Sequence, residues 1–194
     1  EGEEDNTYLS YNMVAGNASD SQMAMAFEVL DYALLSAPGA PLKQALLDAK
    51  VGKDVYGSYD DGILQPYFTV IAKGSNPDKK EEFLSVIRQV LGDIVKNGID
   101  KKAIEAGINY FEFRYREADF SSYPKGLMYS LDILGDWLYE QGNPFAQVQQ
   151  LEVFEKLKAA VNEGYFEELI RKYLLENPHG CVLTLVPKKG LAAK

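Results

Sequence analysis

Apolar residues fall at alternate positions from Thr7 to Val14, where Leu9, Tyr11 and Met13 share one face, and that period predicts a β-strand. Gly16-Asn17 breaks it. Ser19 and Gln22 stand at capping-box spacing, and the Ala- and Met-rich run from Met23 to Leu35 predicts a helix. Ser36 to Ala40 reads as a loop, and Pro41 suits the first turn of a short helix through Ala49. Two strands follow, Lys53 to Tyr59 and Leu64 to Ala72, joined at Asp60-Asp61-Gly62, a hairpin-type turn signal. Pro66 has no N–H to give a ladder, so it places an edge or a bulge nearby.

The pattern then changes to a helical period. Phe83, Ile87, Val90 and Ile94 stripe one helix, capped by Asn76-Pro77 and stopped by Asn97-Gly98. Asp100 caps a second, with Ile104, Ile108, Phe111 and Tyr115 on one face and Glu112 and Arg116 as an i,i+4 ion pair. Ser122 to Gln141 carries Leu127, Leu131, Leu134 and Leu138. Asn143-Pro144 caps the next, striped by Leu151, Phe154, Leu157 and Val161, and Tyr165 to Leu175 ends at Asn177-Pro178. Cys181 to Val186 is almost wholly apolar, which predicts a central strand covered on both faces. The order is β-α-α-β-β, a helical block, then β, with no short repeat or low-complexity linker. It predicts a single α+β domain over residues 1–194, a two-layer arrangement in which helices cover a mainly antiparallel sheet.

Charge and rare residues narrow the chemistry. The 194 residues hold 20 basic and 29 acidic side chains, a net charge of −9. Such a balance gives no attraction to phosphate backbones or anionic lipid, so neither nucleic acid nor membrane is an expected partner. There is one His, His179, and one Cys, Cys181. A self-contained zinc site usually takes three or four such ligands, and a nucleophile–base pair has a single His to draw on. One Cys forms no internal disulfide, which points to a reducing compartment. No apolar run approaches the ~20 residues of a spanning helix, and the first residues lack a signal-peptide layout. The expected location is the cytoplasm, with an organelle matrix as the alternative, and not the secreted space. The acidic opening Glu1-Gly-Glu-Glu-Asp5 and the polar tail from Pro187 read as cuts in a longer chain.

Most local signals have a plain structural reading. Gly52-Lys53 is no phosphate loop, because Leu47 and Asp54 stand where Gly and Ser or Thr are required. Gly52, Gly57 and Gly62 suit a twisted or bulged strand ending in a turn. Asp60-Asp61 lacks the ordered oxygens of a calcium loop and reads as a solvated turn. His179 has no second ligand nearby in sequence, and Cys181 reads as a small buried hydrophobe. Glu112, Arg114, Arg116, Glu117 and Asp119 read as a solvated helix face. Asn17-Ala18-Ser19 is a helix cap more simply than a glycosylation site. What remains is the strand from Lys53 to Tyr59. At a sheet edge its backbone would offer N–H and C=O groups to an extended peptide, with Tyr56 and Tyr59 flanking it. The residues leave open whether another part of the parent chain covers that edge instead.

Longer strings say more. Ala33-Leu-Leu-Ser-Ala-Pro-Gly-Ala-Pro-Leu-Lys-Gln-Ala-Leu46, Gly52-Lys-Asp-Val-Tyr-Gly-Ser-Tyr-Asp-Asp-Gly62, Phe113-Arg-Tyr-Arg-Glu-Ala-Asp-Phe-Ser-Ser-Tyr-Pro-Lys-Gly-Leu127 and Asn177-Pro-His-Gly180 occur in that order. With the closing strand they resemble the pitrilysin/insulinase-like zinc metalloproteases, in particular the presequence-protease subfamily. The resemblance spans nearly the whole chain and corresponds to the second domain of that family's N-terminal half. It implies a domain of the mitochondrial-processing-peptidase type, lining a chamber formed by four related domains. The family's inverted His-x-x-Glu-His helix is not present here, so no metal ligand or general base carries over. Zinc is expected in the parent enzyme and not on this chain, and the fragment alone is expected to be inactive. The implied partners are the parent's remaining domains and extended peptide substrates. In related insulin-degrading enzymes the second domain presents an anchoring strand, the exosite, and Val55, Tyr56, Gly57, Ser58 and Tyr59 occupy the comparable place. A scaffold module of the same fold, without metal sites, is the alternative.

Overall fold

The computed structural model describes residues 4–17, 19–118, 120–138, 145 and 148–190. Four strands form one antiparallel sheet: β1 (Thr7–Val14), β2 (Asp54–Asp60), β3 (Tyr67–Ser75) and β4 (Gly180–Leu185). Their spatial order is β2-β3-β1-β4. In β1 the alternation seen in sequence buries Thr7, Leu9 and Met13. The register sets Leu9 opposite Ala72 on one side and Thr184 on the other, so Val55, Tyr59, Phe68, Val70 and Ala72 join the same face. The opposite face carries Tyr8, Ser10, Asn12, Ile71, Lys73 and Leu183, each at least partly exposed.

The helices supply the second layer. In α1 (Ser21–Asp31) the cap is Asp20, whose Oδ1 accepts the Met23 N–H at 2.9 Å. Ser19 is not the cap, because both its N–H and its hydroxyl turn back to Asn17 Oδ1. The helix widens into a π-helical turn over Tyr32–Ser36, closed by the Ala37 N–H on the Tyr32 carbonyl at 2.7 Å. Then come α2 (Pro41–Asp48), α3 (Lys80–Asn97), α4 (Lys101–Glu117), α5 (Lys125–Trp137), α6 (Leu151–Ala160) and α7 (Tyr165–Leu169). A second π-helical stretch, Ile170–Leu175, extends α7. Asp100 caps α4 through the N–H groups of Lys102 and Ala103, as its spacing predicts. Asn143-Pro144, expected to cap α6, lies outside the described residues. Phe27, Phe68, Phe83, Phe154 and Phe166 are fully buried between sheet and helices. At about 1.5–3 kcal/mol per buried large apolar side chain, this layer holds the sheet in place.

Other expectations change as well. β4 is not a central strand covered on both faces: it is the sheet's other edge, and Leu183 and Leu185 are 57% and 68% exposed. Cys181 is likewise exposed rather than buried. The reason is topological. β1 already has β3 on one side, so β4 pairs with β1 alone and turns Leu183 and Leu185 to the side away from the core. β3 starts at Tyr67, not Leu64, because Pro66 cannot join the ladder by an N–H, and its carbonyl instead accepts from the Ala15 N–H at 2.7 Å. Leu127, Leu131, Leu134 and Leu138 do form one stripe at the expected helical spacing, but all four are 42–71% exposed.

Candidate functional site

β2 lies at the edge of the sheet, and β3 is its one paired strand among the described residues. Side chains alternate along it. Val55 and Tyr59 point into the core, while Tyr56 and Ser58 point to the other side and are exposed. The Val55 N–H is held by the neighbouring Asp54 carboxylate at 2.8 Å, and Asp54 in turn meets Lys43 of α2 at 3.4 Å. The Tyr59 ring stacks on Phe27 with centroids 5.2 Å apart, and its hydroxyl donates to the Ala15 carbonyl at 2.9 Å. Of the two tyrosines expected to flank a peptide, only Tyr56 therefore has its ring available; Tyr59 contributes backbone.

Gly57 is required here by close approach. A Cβ at that position would sit 2.3 Å from Leu35 Cδ1, 2.7 Å from the Thr69 carbonyl oxygen and 2.9 Å from Asp31 Oδ1. The π-helical turn after α1 is thus pressed onto the strand's backbone, leaving Gly57 only its peptide groups to offer. Asp31 Oδ1 is buried there without a hydrogen-bond partner, and burial pushes the Asp31 carboxyl up, partly offset by the Ser36 hydroxyl on Oδ2. At the strand's end Asp60 closes the turn, accepting from the Gly62 N–H and the Tyr67 hydroxyl, each at 3.1 Å. That turn is the one read from Asp60-Asp61-Gly62, although the connection to β3 runs on to Pro66.

The charged group on α4 is not simply a solvated face. Glu112 is buried and accepts from Arg116 at 2.6 Å and from Lys158 of α6 at 2.7 Å, tying two helices together. These two hydrogen-bonded cations, Lys158 first, hold its carboxyl below the usual range. Arg114 instead lies over the Tyr110 ring, 5.6 Å from its centroid. Asp119 lies outside the described residues. His179 is exposed where the chain enters β4, and among the described residues no three His, Cys, Asp or Glu side chains converge as metal ligands. Among the described residues the donor set does not fit a zinc centre.

The arrangement of sheet and helices matches known proteins. Residues 1–111, more than half of the chain, match the family model described as the peptidase M16 inactive domain. The chain belongs to that family. Among curated relatives, this M16 inactive domain is 44% identical over 188 residues to Protein HypA of Clostridium perfringens, covering 97% of the chain and 19% of the relative. It is 31% identical over 173 residues to Presequence protease 1, chloroplastic/mitochondrial, of Arabidopsis thaliana, covering 87% of the chain and 16% of the relative. The chain thus spans less than a fifth of the length of either relative. Among solved structures, an inactive peptidase domain from a candidate zinc protease of Bordetella parapertussis superposes with a TM-score of 0.69 at 13% identity, over 94% of this chain and 91% of that one. A protease from Helicobacter pylori gives 0.67 at 14% identity, over 93% and 41%. These two structures show the α+β fold. Among the described residues no helix is long and apolar enough to cross a membrane.

Sequence reasoning missed two features of this M16 inactive domain. One is Glu112 as a bridge between helices, whose partner Lys158 lies 46 positions away and carries no local signal. The other is the π-helical turn that brings Leu35 and Asp31 onto Gly57. The even spacing of Gly52, Gly57 and Gly62 was the one available signal for that contact.

Proposed function

We propose that this M16 inactive domain is the substrate-holding second domain of the N-terminal half of a zinc-dependent metalloendopeptidase that degrades unstructured peptides. Residues 1–194 act as one α+β unit within that parent, whose remaining domains are its partners. The catalytic zinc and the general-base glutamate belong to the upstream domain. There the metal would polarise the scissile carbonyl and activate water. This chain supplies chamber wall and an anchoring strand, so that attack on a held peptide becomes effectively intramolecular. Its setting is the cytoplasm or an organelle matrix.

The observation that carries the reading is the position of β2 at the sheet's edge, with β3 its one paired strand among the described residues. Val55, Tyr56, Gly57, Ser58 and Tyr59 are the anchoring residues: the outward-facing peptide groups of alternate residues among them, and the exposed ring of Tyr56. β-Addition depends on main-chain hydrogen bonds, so it tolerates changes of side chain between relatives.

The test uses the isotope-labelled 194-residue chain and an unstructured twelve-residue peptide. Titration should shift the amide signals of residues 54–60. N-Methylation of alternate peptide residues should weaken binding at least tenfold in one phase and little in the other, because alternate N–H groups of an added strand face its neighbour. Equal loss in both phases, or unmoved signals at 54–60, would return the edge to a covered structural role. Absence of a His-x-x-Glu-His helix from the parent's upstream sequence would replace the protease assignment with the scaffold module.

A further inference from the structure

Directly beyond β2 the surface deepens into a cleft of about 430 Å³ between α1, α4 and α5, with Asp61 and Gly62 at the strand's mouth. Aromatic walls come from Phe111, Tyr115, Phe120 and Tyr129. Among the described residues three carboxyl groups reach it from three different elements: Glu28 from α1, Asp61 from the turn after β2, and Asp132 from α5. Among the described residues one cation lines it, Arg114 of α4, which is over the Tyr110 ring and forms no ion pair with another of them. One helical turn beyond Glu28, buried Asp31 Oδ1 lacks a hydrogen-bond donor beside Gly57, so the acidic row continues from the cleft to the strand.

We propose that this cleft is a subsite for a cationic group of the peptide laid along β2, its apolar stem against the aromatic walls and its charge between Glu28, Asp61 and Asp132. The proposal rests on the β2 reading for how the peptide arrives. The chemistry of the cleft disfavours acidic and purely apolar side chains. An acidic side chain would meet three carboxyl groups against one guanidinium. A purely apolar one would further desolvate Glu28 and Asp132 without giving either a hydrogen bond. A lysine, an arginine or an N-terminal ammonium satisfies both halves, because aromatic faces and carboxylates each attract a cation. The chain's net charge of −9 steers such a peptide inward.

The present balance of charge gives a second readout. Glu28 faces Asp61 from the turn, Asp31 from its own helix and Arg114 from α4, with Asp132 across the cleft. Burial first, then Asp61 and Asp31, push its carboxyl up to about 8 against the opposing pull of Arg114. A bound cation favours the ionised form, so binding near neutral pH should expel a proton.

The experiment compares four twelve-residue peptides by calorimetry on the 194-residue chain: one with a free N-terminus and a single arginine, the same with arginine replaced by norleucine, the same N-acetylated, and one carrying both changes. Loss of at least tenfold affinity on replacing arginine identifies a side-chain ligand, and the same loss on acetylation identifies the ammonium. In either case heats measured at pH 7 in two buffers of different ionisation enthalpy should reveal proton release, and Glu28→Gln should abolish that release while weakening the cationic peptide alone. If all four peptides bind equally while residues 54–60 still respond, the cationic subsite is overturned and the strand reading stands. If residues 54–60 do not respond to any of them, the strand reading has failed. Asp132→Asn provides a second variant should Glu28→Gln unfold, with the same selective loss expected.

Discussion

The hydroxyl of Tyr59 donates to the main-chain carbonyl of Ala15 at 2.9 Å, locking β2 to the loop that leaves β1. The same ring stacks on Phe27 of α1 at 5.2 Å, so one side chain joins the edge strand, the central strand's exit and the helical layer. Tyr59→Phe removes the bond but keeps the ring, and should cost about 1 kcal/mol in urea unfolding. Tyr59→Ala should cost about 3–5 kcal/mol by leaving a cavity beside Phe27. If Tyr59→Phe weakened peptide binding tenfold with stability unchanged, the hydroxyl would be a ligand contact and its core role mistaken.

Gly57 should tolerate no side chain. The backbone oxygen of Thr69 and the packed Leu35 leave no room, so Gly57→Ala should lower stability by about 1–3 kcal/mol, read from the urea midpoint. Proline there would combine that clash with loss of an N–H, and a peptide-binding defect in Gly57→Pro would not separate capture from folding. Ser58, exposed on the other side of the strand, should accept alanine within about 0.5 kcal/mol.

Stability should fall as pH rises from about 4.5 to about 8. Glu28 has a folded-state pKa raised above its unfolded value, chiefly by burial, so in that window the native state binds the proton that the unfolded state has released. Burial also raises Asp31 and Asp132, which adds to the slope. Glu28→Gln should flatten the decline and be the more stable protein at pH 9, compared by urea midpoints at pH 5 and pH 9. Parallel pH profiles for the two proteins would sink this assignment.

Glu112 works in the opposite sense. Its carboxyl is held low by Lys158 and Arg116, so its contribution is present above the unfolded pKa and is lost as acid carries the pH down through the folded one. Glu112→Gln should cost about 1 kcal/mol at pH 7, a modest figure because the partner cations are partly exposed, and nothing at pH 2. A double-mutant cycle with Lys158→Met isolates the link between α4 and α6, and a coupling near zero would show it to be ornamental.

The strands and helices that bury one face were readable from residue order alone. β1 follows its pattern to the residue because Leu9, Tyr11 and Met13 alternate with polar neighbours, and α4 starts where Asp100 caps a regular stripe. β4 departs from its expected central place because Cys181 to Val186 does not alternate, and an unbroken apolar run does not say which of its faces is covered. The leucines of α5 pose the same problem: their period identifies a face without naming what lies against it. For the candidate strand, the nearby proline leaves an edge or a bulge open, and the structure has the edge. Its depth of burial was not, because Leu35 and Asp31 reach Gly57 only through a π-helical turn that no local signal announces.

The central place of β1 also bears on biosynthesis. Its hydrogen-bonding side toward β3 can be satisfied once residue 75 has been made, but the other side waits for β4, and the contact of Asn12 with the Cys181 carbonyl closes a separation of 169 residues. A strand completed this late lets the nascent domain collapse around α1 to α4 while one side of its middle strand is still bare. During that interval β1, rather than β2, is the edge most in need of protection from a wrong partner.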